Sequence, residues 1–260
     1  MKIGVCAKFT PDTDTRIKLR PDNSGIDPTG IKWVVSPYDA LAVEEALRLK
    51  EKHTGEVISF TVGGDDTAGL LKGTLLALGV GRAVLVNDPA AVGTDALGIA
   101  RILAAAAKAE GLDMLLFGKQ AIDGDNGQVG SMVAEILGWV QVSRVSELTV
   151  EGTQFKAVRA VDGGLKELVA GSLPAVVTAD MGLNTPRFPK LPDIVKAKTK
   201  TVEVKNLAAL GLTAAEVAPA VQASNFGLPP ARPKGRLLTG DADQMVGELV
   251  RLLREEAKVL

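Results

Sequence analysis

Short apolar runs and helical repeats alternate along the first two thirds of the chain. Strands are predicted at four runs rich in apolar and β-branched residues, namely KIGVCA, EVISFTV, RAVLVN and DMLLFG. Helices are predicted between and after these runs, at about residues 37–53, 66–79, 93–109 and 127–138. This alternation is typical of a mostly parallel sheet with helices on both faces. The sequence therefore predicts an α/β fold with a doubly wound sheet.

The helix at 37–53 has the clearest signals. Ser36 can cap it, Pro37 suits its first position, and Asp39 lies three residues after the cap. Apolar or small residues then recur at helical spacing, at Tyr38, Ala42, Ala46 and Leu49. The segment EE and the segment RLKEK supply its polar face.

Two further regions are predicted to contain antiparallel strands. The segment IKLRPDNSGIDPTGIKWVV is predicted to form a hairpin because PDNSG is rich in turn-forming residues between apolar flanks. From about residue 145, four runs separated by turns predict an added antiparallel set, at VSELTVEG, FKAVRAVDGG, LKELVAG and LPAVVTAD.

Residues 183–240 are rich in proline and show little periodicity, which predicts an extended arm that lies on another surface. The arm contains apolar residues that require burial, namely Leu207, Leu210, Leu212, Phe226 and Leu228. A final helix, ADQMVGELVRLLREEAKVL, has Met245, Leu249, Leu252 and Leu253 near one face. We therefore expect an α/β domain with an antiparallel extension over 1–182 and an extended arm with a final helix over 183–260.

Composition excludes several functional classes. The 260 residues are 46% hydrophobic with a net charge of −1, which gives no electrostatic reason to expect nucleic acid or an anionic membrane as a partner. Cys6 and His53 are each the only residue of their type, so neither an internal disulfide nor a Cys/His zinc site is expected. No signal peptide, membrane span or set of acid/base catalytic residues is evident, and we expect a cytoplasmic protein without metal or catalytic residues.

The candidate site lies where the parallel strands end, because ligands of open α/β sheets bind at that edge. Four segments leave those ends, namely CAKFT, VGGDD, NDPAAVG and FGKQAIDGDNGQ. Gly124 and Gly127 allow a ligand to approach the backbone, and the helix start near Gly127 to Val129 can bind a phosphate. Lys8 or Lys119 could add positive charge. This edge predicts a Rossmann-like mononucleotide site.

The carboxylates Asp123 and Asp125 have two interpretations. Beside a phosphate they would be repulsive unless they cap amides, face a ribose or hold a cation, and we favour the first two roles. Equally, they end the strand and cap the helix. Asp65 or Asp66 in VGGDD can likewise be a simple helix cap. The chain contains neither G-x-G-x-x-G nor G-x-x-x-x-G-K-[ST], so no dinucleotide fingerprint and no P-loop are present.

The chain resembles the beta subunits of electron transfer flavoproteins from end to end. The resemblance rests on SPYDALAVEEALRLKEK, on GKQAIDGDNGQVG, and above all on VRAVDGGLKELVAGSLPAVVTAD followed by LNTPRFPKLPDIVKAKTK. It implies a heterodimer with an alpha subunit that holds most of one FAD. It also implies electron transfer from acyl-CoA and other flavin dehydrogenases to a quinone oxidoreductase in the membrane, with a structural AMP in the beta subunit.

Carried onto this sequence, the resemblance implies an AMP pocket built from the first strand, the start of the first helix, the second strand and the Gly-rich loop. Its residues would be Cys6, Ser36, Pro37, Tyr38, Asp39, Val62, Gly118, Lys119, Gln120, Ala121, Ile122, Asp123, Gly124, Asp125, Asn126, Gly127, Gln128 and Val129. This pocket lies at the same edge to which the strand ends point.

The resemblance also implies a docking loop for dehydrogenases, with Leu191 as its apolar anchor. Prolines at 186, 189 and 192 would order this loop in advance and reduce the entropy lost on binding. Two positions depart from the family. Thr13 stands where members often have a Tyr near the flavin, and Ala160 stands where some have an acidic residue. With aromatic residues at 3% of the chain, stacking of the flavin on this subunit is not expected.

Two alternatives stay open. Electron-bifurcating relatives hold a second FAD in place of AMP, and DGDNGQVG is compatible with them, although SPYDALAVEEAL is more similar to the AMP-containing kind. An adenylating enzyme of the ATP pyrophosphatase type would have VGGDD as a degraded phosphate loop, but that loop lacks the serine this chemistry needs.

Overall fold

A computed structural model describes residues 1–232 and 234–260, which contain eleven strands and seven α-helices. The strands are β1 Lys2–Cys6, β2 Phe9–Pro11, β3 Trp33–Val35, β4 Glu56–Val62, β5 Arg82–Val86, β6 Met114–Gly118, β7 Val140–Glu151, β8 Gln154–Ala160, β9 Lys166–Ser172, β10 Ala175–Ala179 and β11 Glu203–Lys205. The helices are α1 Pro37–His53, α2 Thr67–Gly73, α3 Leu75–Leu78, α4 Ala96–Lys108, α5 Val129–Leu137, α6 Leu191–Ala197 and α7 Ala242–Glu255.

The chain forms two compact units, which are described separately. The first unit consists of Met1–Ile17 and Asp27–Ser224, and the second consists of Lys18–Ile26 and Asn225–Leu260. The first unit contains the strands and the helices α1 to α6, whereas the second contains α7.

A nine-stranded sheet organises the first unit, in the order β11-β5-β4-β1-β6-β10-β7-β8-β9. The pairs from β11 to β7 are parallel, and the pairs β7 with β8 and β8 with β9 are antiparallel. Helices pack on both faces, as neighbouring residues of β4 illustrate. Val57 belongs to the buried cluster that includes α1, whereas Ile58 belongs to the cluster that includes α4. The predicted α/β class with added antiparallel strands is confirmed.

Strand β10 corrects the prediction for LPAVVTAD. The sequence analysis placed this run among the added antiparallel strands, but β10 lies in the centre of the sheet and is parallel to both β6 and β7. All five of its residues are buried. A continuous apolar run is expected for a parallel strand covered on both faces, so the composition of AVVTA fits its central position better than an antiparallel edge.

Strand β7 joins the parallel and antiparallel parts of the sheet. Its first half pairs with β10 and its second half pairs with β8. The register shifts at Val145, next to Arg144, which has a positive φ of 58°. A bulge of this kind increases the local twist of a strand.

Two predicted elements differ in detail. The helix predicted at 66–79 is interrupted at Thr74, whose hydroxyl donates to the carbonyl of Leu70 at 2.6 Å. This local bond competes with regular helix geometry. In the predicted hairpin from 17 to 35, the structure contains a single antiparallel bridge between Leu19 and Ile26. Separately, β3 pairs with the earlier strand β2.

The predicted arm begins at residue 183, but the first compact unit continues to Ser224. Strand β11 pairs with β5, and Leu207 is only 3% exposed in the cluster that includes α4. Leu210 and Leu212 are half-buried against the same cluster. The expectation that another subunit must bury Leu207 is therefore wrong, because the sheet of its own chain already does so.

The second unit contains α7 and the residues that precede it. Asp241 and Gln244 form a reciprocal capping box at the start of α7, and Arg251 pairs with Glu248 and Glu255 along the helix. None of the residues of α7 is buried, and Leu249 is 47% exposed. The predicted final helix is confirmed. Met245, Leu252 and Leu253 are half-buried, whereas Leu249 is exposed.

Candidate functional site: the rim of the parallel sheet

Hydrogen bonds join the segments that leave β1 and β6 to the first turn of α1. The carboxylate of Asp39 accepts the backbone N–H of Lys8 at 2.8 Å through Oδ2 and that of Gly118 at 2.9 Å through Oδ1. The backbone N–H of Ser36 donates to the carbonyl of Lys8 at 2.9 Å. These bonds join three of the segments that lie where the parallel strands end. We call this edge of the sheet the rim. Strand order places β1 next to β6, which is why residues distant in sequence meet here.

The position of Gly118 is fixed by this close approach. A Cβ atom at Gly118 would lie 2.5 Å from Oδ1 of Asp39 and 2.6 Å from its backbone nitrogen. Both distances are shorter than real Cβ contacts, so only glycine allows α1 and the end of β6 to come this close. The glycine is therefore required by the packing of the rim.

Burial changes the acidity of Asp39. The residue is 7% exposed, and this burial raises its pKa to about 7, although the N–H groups of Lys8 and Gly118 partly oppose the effect. Burial, followed by the nearby Asp39, also raises the pKa of Cys6 well above its ordinary value. Cys6 is 3% exposed within the apolar core. A thiol in this setting fills space and is not a nucleophile.

Both lysines of the rim are already paired with carboxylates. Nζ of Lys8 lies 2.6 Å from Oδ2 of Asp123, and Nζ of Lys119 lies 2.8 Å from Oδ1 of Asp180. Lys119 also lies over the ring of Tyr38, 4.6 Å from its centre. The Asp180 ion pair outweighs the effect of burial and raises the pKa of Lys119 above its ordinary value.

The loop from Lys119 to Gln128 holds its shape through short-range bonds. The amide of Gln120 donates to Oδ1 of Asp125 at 2.7 Å, and the N–H of Asp125 donates to the carbonyl of Ala121 at 2.9 Å. Asp125 and Gly127 both have positive φ, at 50° and 60°. At Gly127 this geometry favours glycine, and a Cβ atom there would lie 3.3 Å from the carbonyl of Lys119. Gly124 and Asn126 are exposed in the same loop, and Ile122 is half-buried.

Helix α5 starts without a side-chain cap. Gln128 occupies the N-cap position and makes no capping bond, and Val129 is the first helical residue. The interpretation that Asp123 or Asp125 caps this helix is wrong, because they bond to Lys8 and Gln120. The N–H groups at the start of a helix need acceptors from outside it. An uncapped helix start beside a Gly-rich loop is suited to bind a phosphate.

Ser36 also departs from its predicted role. It occupies the N-cap position of α1, but its side chain makes no capping bond. Its Oγ is buried and has no hydrogen-bond partner. Asp39 does not complete a capping box either, since the backbone of Lys8 and Gly118 occupies its carboxylate. A buried hydroxyl without a partner is costly unless a ligand or water bonds to it.

The remaining predicted residues lie at different distances from this rim. Pro37 is the first residue of α1, and Val62 is the last residue of β4 and is half-buried. Leu191 starts α6 and is 74% exposed. Thr13 is exposed, and Ala160 ends β8. Among the described residues, no hydrogen bond or ion pair joins Leu191, Thr13 or Ala160 to the rim.

Asp180 is a rim residue that the sequence analysis missed. It follows β10, is 6% exposed, and lies between Lys119 and Arg144, whose Nε is 3.6 Å from its Oδ2. Burial alone would raise the pKa of Asp180, but the bond from Lys119 outweighs it and holds the pKa below its ordinary value. A reading of AVVTA as a central parallel strand would have placed the residue that follows it on this rim.

The VGGDD segment, the metal-ligating side chains and the apolar helices were candidates for other kinds of site. In VGGDD, Asp65 accepts a bond from Asn87 at 2.6 Å, and Asp66 occupies the N-cap position of α2 without a side-chain bond. Within residues 1–232 and 234–260, no group of three metal-ligating side chains is suitably arranged. Across the same described ranges, no helix has both the length and the apolar character needed to cross a membrane.

Comparison with known proteins gives a consistent result. The family model described as Electron transfer flavoprotein domain matches residues 25–210. The Electron transfer flavoprotein subunit beta of Bacillus subtilis is 39% identical over 261 aligned residues, with 100% of both chains covered. The protein of the same name from Mus musculus is 42% identical over 212 residues, covering 80% of this chain and 82% of its own. The human protein of that name is 42% identical, covering 82% and 84%.

Proposed function

Because the chain belongs to the electron transfer flavoprotein family as a beta subunit, we propose that it works in a heterodimer with an alpha subunit. Members of this family are electron carriers rather than enzymes. In the proposed function, the heterodimer accepts electrons from acyl-CoA and other flavin dehydrogenases during fatty acid oxidation. It passes them to a quinone oxidoreductase of the membrane while the heterodimer itself stays in the cytoplasm.

We propose that the rim of the parallel sheet holds AMP with a structural role. Its phosphate would accept bonds from the uncapped N–H groups at the start of α5, where Gln128 makes no capping bond. The buried hydroxyl of Ser36, which has no hydrogen-bond partner among residues 1–232 and 234–260, is suited to bond the nucleoside part. This pairing of an uncapped helix start with an orphaned hydroxyl is the observation that carries the proposal.

The charges of the rim favour one phosphate group over several. Lys8 and Lys119 are already neutralised by Asp123 and Asp180, at 2.6 and 2.8 Å. A pyrophosphate would bring more negative charge towards these carboxylates than a single phosphate does, and the charge of Arg144 is already shared with Asp180. The rim therefore supports AMP better than a second FAD, which is the arrangement of the electron-bifurcating alternative.

The FAD is proposed to be held mainly by the alpha subunit, with its flavin close to this chain. The redox chemistry belongs to that flavin. The residues of this chain would bind AMP and help to position the flavin and the partner protein. Docking of dehydrogenases is proposed to use Leu191, whose side chain is 74% exposed at the start of α6. An exposed apolar side chain on an ordered helix is suited to enter a pocket of a partner.

Reconstitution tests this function. The chain is co-expressed with its alpha subunit, and the purified complex is mixed with an acyl-CoA dehydrogenase and acyl-CoA. We expect the flavin of the complex to be reduced, and then to be reoxidised by a quinone oxidoreductase and a quinone. A complex whose flavin stays oxidised with every acyl-CoA dehydrogenase tried would contradict the proposal.

A further inference from the structure

The segment between β10 and α6 is attached to the middle of α1 by one arginine. The side chain of Arg187 donates to Glu44 through Nε at 2.8 Å and Nη2 at 3.1 Å, and its backbone N–H donates to the same carboxylate at 3.1 Å. The guanidinium also donates to Glu51 through Nη1 at 2.5 Å and Nη2 at 3.2 Å. Two carboxylates of α1, nearly two turns apart, thus bind one side chain.

Asn184 adds a second attachment to the same helix. Its Nδ2 donates to the backbone carbonyl of Leu41 at 3.0 Å and to Oε2 of Glu45 at 2.9 Å. We call Glu44, Glu45, Glu51, Asn184 and Arg187 the attachment cluster. Its bonds cross more than 130 positions of sequence, so they are tertiary links and not local turn geometry.

Two carboxylates of the cluster, those of Glu44 and Glu45, are shielded from water. Glu44 is 4% exposed and Glu45 is 7% exposed. Burial alone would raise the pKa of Glu44, but the bonds donated by Arg187 and Arg48 outweigh it and hold the pKa below its ordinary value. Burial raises the pKa of Glu45, against the opposing bond from Asn184. The ion pair at Glu44 is therefore formed by a buried carboxylate, for which removal of a partner is costly.

The attached segment exposes apolar side chains on its other side. Phe188 is 90% exposed, Leu191 is 74% exposed and Val195 is 57% exposed. On the inner side, Ala197 is buried and Ile194 packs against the core. A seven-residue helix contributes little stability of its own, so its orientation depends on such tertiary contacts.

From these contacts we propose that Arg187 and Asn184 are positioning residues for electron transfer, because they hold α6 so that Leu191 is presented to the dehydrogenase. This inference rests on the proposed docking function of Leu191. Neither residue needs to touch the partner. Their effect is that the docking helix is ordered before binding, so less conformational entropy is lost when the complex forms.

The test uses the heterodimer purified with its alpha subunit, carrying Arg187→Gln, Arg187→Lys or Asn184→Ala. Hydrogen exchange of peptides covering residues 184–198 reports the attachment without any dehydrogenase present. We expect these amides to exchange about tenfold faster in Arg187→Gln. Arg187→Lys keeps the charge but cannot form both pairs of bonds, so an intermediate rate is expected.

The second readout is flavin reduction by an acyl-CoA dehydrogenase, measured as a function of heterodimer concentration. We expect KM for the Arg187→Gln heterodimer to rise about tenfold while kcat changes less than about twofold, because the variant affects encounter and not the flavin. A loss of overall structure would instead lower the thermal stability and kcat together. Arg187→Lys, which is the gentler change, distinguishes the two cases if Arg187→Gln folds poorly.

Arg48→Ala is the matched control. Arg48 donates to Glu44 at 2.8 Å from within α1, and among the described residues no hydrogen bond or ion pair joins it to residues 184–198. It removes one guanidinium from the same carboxylate and leaves the segment attached. Exchange in residues 184–198 and KM are both expected to stay at their wild-type values.

Leu191→Ala separates this inference from the proposed function. If Leu191→Ala raises KM but Arg187→Gln changes neither exchange nor KM, the positioning role is wrong and the docking role stands. If Arg187→Gln increases exchange without raising KM, positioning is likewise wrong. If Leu191→Ala leaves KM unchanged, the docking function itself is wrong and the positioning role fails with it.

Discussion

Helix α1 has a buried carboxylate in each of two regions, and the two are held in different ways. At its first turn, Asp39 accepts only backbone N–H groups, at 2.8 and 2.9 Å. In its middle, Glu44 accepts bonds from two guanidinium groups, those of Arg48 and Arg187. The pKa of Asp39 is raised to about 7, whereas that of Glu44 is held below its ordinary value.

This difference shows that partners, not burial alone, decide the charge of a buried acid. Both side chains are less than 10% exposed, at 7% for Asp39 and 4% for Glu44. Without a cation in direct contact, desolvation dominates at Asp39, whereas two cations outweigh it at Glu44. The rim is thereby joined by bonds that depend on pH near neutrality. The ion pair between Glu44 and Arg187 is independent of pH in that range, because the pKa of Glu44 is held below its ordinary value.

The largest expected effect comes from a substitution that disrupts packing at the rim. Gly118→Ala places a Cβ atom 2.5 Å from Oδ1 of Asp39 and 2.6 Å from the backbone of α1, so the helix or the strand end must move. We expect a loss of at least about 3 kcal/mol in the free energy of unfolding, together with loss of the bound nucleotide. Chemical denaturation and nucleotide extraction measure these two effects.

Gly64→Ala serves as its control. Gly64 belongs to another segment of the same rim, and a Cβ atom there meets nothing within 4 Å. Its unfolding free energy should stay near the wild-type value. Equal losses for both variants would mean that the close approach at Gly118 is not the reason for the effect.

The next largest effect concerns Glu44 in the middle of α1. Glu44→Gln leaves Arg187 and Arg48 without their shared buried anion, and we expect a loss of about 2–3 kcal/mol at neutral pH. Because the pKa of Glu44 is below its ordinary value of 4.5 in the folded chain, its stabilising contribution is lost as pH falls below that value. The difference from wild type should therefore shrink in acid.

Glu51→Gln is the comparison for this carboxylate. Glu51 also binds Arg187, but its side chain is 57% exposed. A loss below about 1 kcal/mol is expected for this exposed pair. If Glu51→Gln costs as much as Glu44→Gln, burial is not what makes the attachment strong.

Asp39 should show the opposite dependence on pH. Its pKa is raised from 3.8 to about 7 on folding, so its contribution is fully present below pH 3.8 and is lost as pH rises towards 7. The free energy of unfolding of wild type, relative to that of Asp39→Asn, should therefore fall over this range. Unfolding curves of both proteins at a series of pH values test this. If the stability of wild type relative to Asp39→Asn instead increased with pH, the pKa of Asp39 would not be raised on folding.

The smallest effect concerns the hydroxyl of Ser36. Its Oγ has no hydrogen-bond partner in the described part of the chain, so Ser36→Ala should leave the nucleotide-free protein as stable as before or slightly more stable. Its affinity for AMP should fall by about 1 kcal/mol, close to fivefold. Isothermal titration with AMP measures the change after the nucleotide has been removed.

Ser59→Ala is the matched variant for Ser36. Ser59 Oγ is also buried without a partner, but it lies within β4 beside Val5 and not at the strand end. Affinity for AMP should not change in this variant. A similar loss of affinity in both would indicate a general effect on the sheet and not a bond to the nucleotide.

The fold was largely predictable because periodicity and turn residues report local structure directly. The bounds of α1 agree with the prediction of 37–53, and the four first parallel strands lie where their apolar runs predicted. Strand β10 was assigned to the wrong part of the sheet, because a five-residue apolar run does not reveal its neighbours. The burial of Leu207 was predicted, but not that its own chain buries it, since its partners lie far away in sequence.

The site was predictable as a location but not as a set of bonds. Strand ends and a Gly-rich loop indicated the rim, and the resemblance supplied the residues. The sequence could not show that Asp39 bonds to Lys8 and Gly118 in place of capping its helix. It also could not show that Asp180 pairs with Lys119. The bonds of Asp39 and the ion pair of Asp180 both depend on which strands are adjacent. Tertiary hydrogen bonds of this kind follow from topology and not from local pattern.

Counting the nucleotides tests the central claim most directly, namely that the rim of this chain holds AMP while the heterodimer carries one FAD. The heterodimer is purified with its alpha subunit and denatured, and the released nucleotides are separated by chromatography and quantified against protein. The account predicts one AMP and one FAD for each heterodimer. Two FAD and no AMP would contradict it.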